Sequence, residues 1–178
     1  MNKADSLQAA IDEEVALEAY NDAWPARFVA ERDRLLGLLP LSFIDIEHIG
    51  STAVPGLMAK PIIDMLAGVA SMAEARSLSP VLLDAAYTTS AEFNAALSDR
   101  QWFMRWADGH RTHHLHVVVH GSPAWAQHLR FRDALRADPV LAAAYAALKA
   151  ELALRHPDDR EAYTSAKAEF VRSVVAPG

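Results

Sequence analysis

Apolar and polar positions alternate with two different periods along this chain, and the change of period divides it. From Trp24 to Leu39 the apolar residues Phe28, Leu35, Leu36 and Leu39 fall on one helical face, Glu31, Arg32 and Arg34 fall outside it, and Pro25 suits the first turn. An Ala- and Glu-rich stretch, about Ser6 to Tyr20, precedes it and reads as a helix or a partly ordered arm. After Pro40 the period shortens. Phe43–Ile49 reads as a strand with two alternating faces, and Ile62–Leu66, ending near Gly68, as a second strand. Ser71 with Glu74 forms a capping box at the head of a helix expected to reach about Ala86, where Ser79-Pro80 either interrupts the helix or opens a second piece. Gln101–Trp106 and His114–Val119 read as two more strands, joined by a tight turn at Asp108-Gly109. Beyond Gly121-Ser122-Pro123 the pattern is helical: about Pro123–Ala137, Pro139–Arg155 and Asp159–Val175, broken at Asp138-Pro139 and His156-Pro157.

The order is therefore α-β-β-α-β-β followed by three helices, which predicts the α+β class. The expected division is an N-terminal helical arm (1–19) and one domain (20–178), with a core at about 20–121 and a helical tail at about 122–175.

Composition narrows the function. At 178 residues and 52% hydrophobic the chain can bury a proper core, and its mean hydropathy of +0.02 argues against disorder. With 17 Lys and Arg against 23 Asp and Glu, the net charge of −6 disfavours extensive nucleic-acid binding but leaves room for a local phosphate site. No cysteine is present, which removes disulfides, thiolate nucleophiles and cysteine-ligated zinc. No targeting signal or long apolar run is visible, so a cytoplasmic protein without membrane association is expected.

Chemistry concentrates between His48 and Asp64, in HIGSTAVPGLMAKPIID. Gly50-Ser51 stands where a strand gives way to a turn, and a glycine there lets backbone N–H groups approach a phosphate, with Ser51 and Thr52 beside it. Asp64 sits in a strongly apolar strand, a costly place for a carboxylate unless it is paired or holds a metal ion. Lys60 lies just before that strand as counter-ion or phosphate contact. A Walker P-loop is excluded, because Gly56 follows Gly50 by six residues and Lys60 comes four later. Arg105, on the third strand, is a further candidate phosphate contact.

Five of the eight histidines fall in HRTHHLHVVVH, residues 110–120. His114 and His116 share one strand face, with His120 by parity, and His113 faces the other way. Two histidines so spaced can hold one metal, and imidazole suits Zn²⁺ or Mn²⁺ better than Mg²⁺.

Gly50-Ser51 at a strand end with Asp64 on the next strand resembles the nucleotidyltransferase superfamily. Its second strand acid falls at Leu66 here. More specifically, His48-x-Gly50-Ser51-Thr52-x-Val54-Pro55-Gly56-Leu57, Ala59-Lys60-Pro61-Ile62-Ile63-Asp64, His114-Leu115-His116-Val117 and Phe131-Arg132-Asp133-x-Leu135-Arg136, with the pairs Tyr145/Lys149 and Tyr163/Lys167, resemble the GrpB family over about Tyr20 to Val175. The resemblance implies a nucleotidyltransferase-like mixed sheet with flanking helices and a C-terminal helical tail. It also implies a nucleotide or other phosphorylated ligand held by Gly50, Ser51, Thr52, Lys60 and Arg105. A divalent metal (Mg²⁺ or Mn²⁺, alternatively Zn²⁺) would sit on Asp64, His48, His114 and His116, with Asp64 and His116 as catalytic residues in nucleotidyl or phosphoryl transfer. The alternative is a catalytically inactive binding module related to domains fused to dephospho-CoA kinase, and the N-terminal arm could support a homo-oligomer. The Tyr/Lys pairs of the tail read as helix packing with a charged rim.

Overall fold

The computed structural model describes Gln8 and residues 16–176. The expected arm at 1–19 therefore lies almost wholly outside the described residues; at its end, Glu18 bridges to Ala59.

Five strands form one mixed sheet in the order β1-β2-β5-β4-β3: β1 (Asp45–Ile49), β2 (Ile63–Val69), β3 (Tyr87–Thr88), β4 (Arg100–Ala107) and β5 (His110–Val119). The central pair β2–β5 is parallel and every other pairing is antiparallel. β4 and β5 meet at Asp108-Gly109, both with positive φ (55° and 80°), the backbone a tight hairpin turn requires. β5 starts at His110, four residues before the expected position, because the whole histidine run alternates along the strand.

Strand parity sorts the sheet into two faces. Ile46, Met65, Ala67, Val69, Phe103, Leu115 and Val117 point one way, into the main core. α1 (Trp24–Leu38) closes that core with Trp24, Phe28 and Leu35, assisted by α2 (Met72–Ser77) and α3 (Ser79–Asp84). Ser71 caps α2 by accepting from the Glu74 N–H at 3.1 Å, and of the two expected outcomes at Ser79-Pro80 the second holds: Pro80 opens α3 as a separate piece. Glu31 occupies a core position of α1 despite its charge. It accepts from Arg34, Arg105 and Tyr87, which compensates its burial.

On the other face, α5 (Pro123–Ala137) covers Ile49, Leu66 and Val118 with Trp125. Next to that cover stand Asp64, His114 and His116, opposite α6 (Pro139–Arg155) and α7 (Arg160–Val175). The three helices are built onto the strand domain through a shared core: Val54 and Leu57, after β1, pack with Phe131, Leu135 and Tyr145. Arg136 donates to the Ala53 carbonyl at 2.8 Å, and Lys149 donates to that of Met58. A short helix, α4 (Ala91–Ala95), and the two-residue β3 complete the sheet's far edge; neither has enough length to leave a periodic signal. Among the described residues no helix is long and apolar enough to cross a membrane.

Candidate functional site

The turn after β1 and the start of β2 are fitted to each other. Gly50 has φ +73°, and a Cβ there would lie 2.6 Å from Asp64 Oδ2. Any side chain would be both strained and in collision, so glycine is required by conformation and by close approach. The chain then makes one 3₁₀ turn, Ser51–Ala53, which puts Ser51 and Thr52 on the wall of the cleft.

Asp64 and His114 are cross-strand neighbours on β2 and β5. A 3.0 Å hydrogen bond joins His114 Nδ1 to Asp64 Oδ1, and another of 3.0 Å joins Arg111 Nη1 to His114 Nε2. A guanidinium can only donate. His114 Nε2 is therefore the acceptor, and Nδ1–H donates to the carboxylate, which defines a neutral imidazole with one tautomer. Burial lowers the affinity of His114 for a second proton. Burial by itself would raise the Asp64 carboxyl; the His114 hydrogen bond, the neighbouring imidazoles and Lys167 outweigh it and hold Asp64 well below the usual carboxylate range. Asp64 is thus an anion at neutral pH, clamped on one oxygen.

His116 lines the same cleft one sheet position further on. Burial pushes it down to about 3, the His128 ring lies 5.5 Å away, and its Nδ1 is buried without a hydrogen-bond partner.

Two expected site residues lie elsewhere. His48 alternates onto the opposite face, in register with Met65, and stacks on Phe28 at 4.8 Å. Its Nε2 reaches Thr52 Oγ1 at 2.9 Å, so it props the turn from behind and does not face Asp64's ligand side. Arg105 also faces away: strand parity sends it to the α1 side, where Nη1 donates to Glu31 Oε2 at 2.8 Å. It is a structural counter-ion.

Among the described residues no group of three or more His, Asp or Glu side chains is placed to hold a metal ion. His48 is on the wrong face, His114 already spends both ring nitrogens, and Leu66 is fully buried against Ile49, Val118 and Trp125. These residues do not fit a two-ion centre of the nucleotidyltransferase type.

What converges instead is positive charge. A cleft of about 620 Å³ opens between the sheet and the last two helices. Lys60, Arg100, Arg111, Lys149 and Lys167 line it, against the two acids Asp64 and Glu161. Lys149 is 2% exposed, and burial, reinforced by Lys167, pushes its ammonium down to about 7. Burial would lower Lys167 too, but Tyr145, Tyr163 and Asp64 hold it above its ordinary value. Lys60 and Lys167 both lie over the Tyr163 ring, 4.7 and 5.5 Å from its centroid. The tail lysines are therefore part of the cleft and not a solvated rim. Their sequence signal was the repeated Tyr-x-x-x-Lys spacing, which by itself cannot say whether a helix face meets water or a neighbour.

A mixed sheet of this order, with Gly-Ser at the end of β1 and Asp on β2, defines an α+β protein with a nucleotidyltransferase-like core. The sequence model described as "GrpB protein" matches residues 14–176, and the chain belongs to the GrpB family. The crystal structure of conserved protein GrpB from Enterococcus faecalis superposes with a TM-score of 0.78 at 32% identity, covering 90% of this chain and 97% of that one. The UPF0157 protein YqkA of Bacillus subtilis is 38% identical over 89% of this chain, which spans 46% of YqkA's length. A dephospho-CoA kinase of Mycolicibacterium paratuberculosis is 30% identical over 84% of this chain, which spans 42% of that protein.

Proposed function

We propose that the cleft binds a phosphorylated small molecule, recognising the phosphates directly with basic side chains. The observation that carries this reading is the gathering of five cations around one cleft in a chain of net charge −6. Lys149 carries the argument furthest. Among the described residues no carboxylate forms a salt bridge with it, Lys167 repels it more than Asp64 attracts it, and a buried ammonium in that setting is stabilised by an incoming anion. Ser51, Thr52 and the turn behind Gly50 supply neutral donors beside the same space. Asp64, anionic and tied to His114, faces the phosphates as a like charge and orients them towards the lysines.

The donor set gives no reason to route recognition through a divalent ion. A second reading, phosphoryl or nucleotidyl transfer, is favoured by one feature: a strand carboxylate kept ionised at the phosphate end. The partial likeness to dephospho-CoA kinase adds coenzyme A precursors to the ligands worth testing.

Calorimetry with ATP, tripolyphosphate and dephospho-coenzyme A, each with and without Mg²⁺ or Mn²⁺, tests the proposal. Binding without added metal is expected, weakening steeply with salt. Lys149→Met and Lys167→Met should each weaken it by about tenfold or more, the worth of one charged hydrogen bond. No binding by any of the three would overturn the proposal. Release of pyrophosphate or phosphate over an acceptor panel would establish the transfer reading, and its absence would leave a binding module.

A further inference from the structure

We propose that the mouth of the cleft is a preformed stacking wall for a planar aromatic ring, so that the phosphorylated ligand is a nucleotide and not a sugar phosphate or polyphosphate. This inference rests on the phosphate reading above. The wall consists of Phe93 from α4 and Trp102 from β4, both lining the cleft. Their rings meet edge-to-face with centroids 5.7 Å apart, and Trp102 in turn leans on His114 at 5.7 Å. His114 is itself fixed by Asp64 and Arg111. The aromatic wall is thus continuous with the polar end of the cleft.

Phe93 is the unexplained residue. It is 48% exposed, although a phenylalanine gains most by full burial, and the five-residue helix that carries it contributes only Asn94 to the buried interior. That helix is nevertheless held with care. Ser90 Oγ accepts from the Phe93 N–H at 3.2 Å. The 6%-exposed Asn94 binds Trp102 twice: its Oδ1 accepts from the Trp102 N–H at 2.8 Å, and its Nδ2 donates to the Trp102 carbonyl at 3.1 Å. Nδ2 also donates to Thr89 Oγ1 at 2.8 Å. Asn94 thereby satisfies the backbone of the very residue whose ring Phe93 touches. Its amide acts as a clamp that sets the angle between the two rings.

Cations and a rigid, half-exposed aromatic edge lining one cleft match a phosphate chain attached to a flat heterocycle, and stacking on such a surface tolerates any base. Arg100, two residues before Trp102 and on the same strand face, extends the wall with a guanidinium that can stack or pair with a phosphate.

The test compares ATP with tripolyphosphate on the wild-type chain and on Phe93→Ala, by calorimetry and tryptophan fluorescence. ATP should bind the wild type about tenfold or more tightly than tripolyphosphate, with quenching of tryptophan emission. Phe93→Ala should remove that advantage while leaving tripolyphosphate unchanged, and Phe93→Tyr should restore it. Phe93 is half exposed, so its truncation leaves the fold intact, which circular dichroism checks. Equal affinity for ATP and tripolyphosphate, or an ATP affinity indifferent to Phe93→Ala, overturns the stacking wall while the phosphate reading stands. Failure of both ligands to bind overturns the phosphate reading and this inference with it.

Discussion

Gly50 and Asp64 show how far a single residue can be committed. The hydrogen atom of Gly50 occupies the only space that a side chain could take, because Asp64 Oδ2 stands 2.6 Å from the Cβ position. Gly50→Ala must distort a left-handed backbone, push the carboxylate away from His114, or both. We expect it to cost about 2–3 kcal/mol of stability in urea unfolding, at the upper end for a strained backbone site. A loss below half a kilocalorie would show that the turn yields freely. The residue types at this turn were legible in the sequence, since glycine and serine after a strand and an acid inside the next one are all locally unusual. Whether His48 joined them was not. Its identity suggested a ligand, whereas the strand's parity put it on the far face, where it supports Thr52 and stacks on Phe28.

At the level of elements, proline and short-chain capping residues carried most of the information. Pro123 and Pro139 start α5 and α6 where the sequence places them, because proline fits the first helical turn and Asp138 accepts from the Val140 and Leu141 N–H groups. The contact that docks α5 was not legible. Arg132 reads as an ordinary charged helix residue, yet it is buried, donating to Glu47 Oε2 at 2.5 Å and to the His48 carbonyl at 3.1 Å. It ties the tail to β1. Arg132→Leu leaves the carbonyl of a buried strand unpaired and Glu47 without its partner, so unfolding free energy should fall by about 2–3 kcal/mol. The conservative Arg132→Lys should recover only part of that, because Nε also donates to Asp133 Oδ1 at 2.9 Å and a single ammonium cannot replace a guanidinium that donates from two separate nitrogens. Full recovery would mean that charge alone docks the helix.

For the whole molecule the histidines set the response to acid. Burial holds His48 and His113 neutral down to about 4 and His116 to about 3. In the unfolded chain each takes a proton near pH 6.5. Between about pH 6.5 and 4 the unfolded state therefore binds more protons than the native one, and stability must drop as the pH is lowered through that window. The urea midpoint at pH 5 is expected to lie clearly below that at pH 7.5, and His48→Gln should make the dependence shallower. A flat profile across this range would contradict the burial of these rings.

The sequence by itself determined the class of fold, the helical ends, and a Gly-Ser turn followed by an acid in the next strand, because these depend on short-range rules of period, capping and backbone conformation. Only the tertiary structure decided which faces meet. It turned His48 and Arg105 away, joined Asp64 to His114 across two strands, and brought Lys149 and Lys167 from the tail over the sheet. The reason is that a cleft is made by side chains more than fifty residues apart converging on one space, and no local pattern records which of two faces a distant helix will cover.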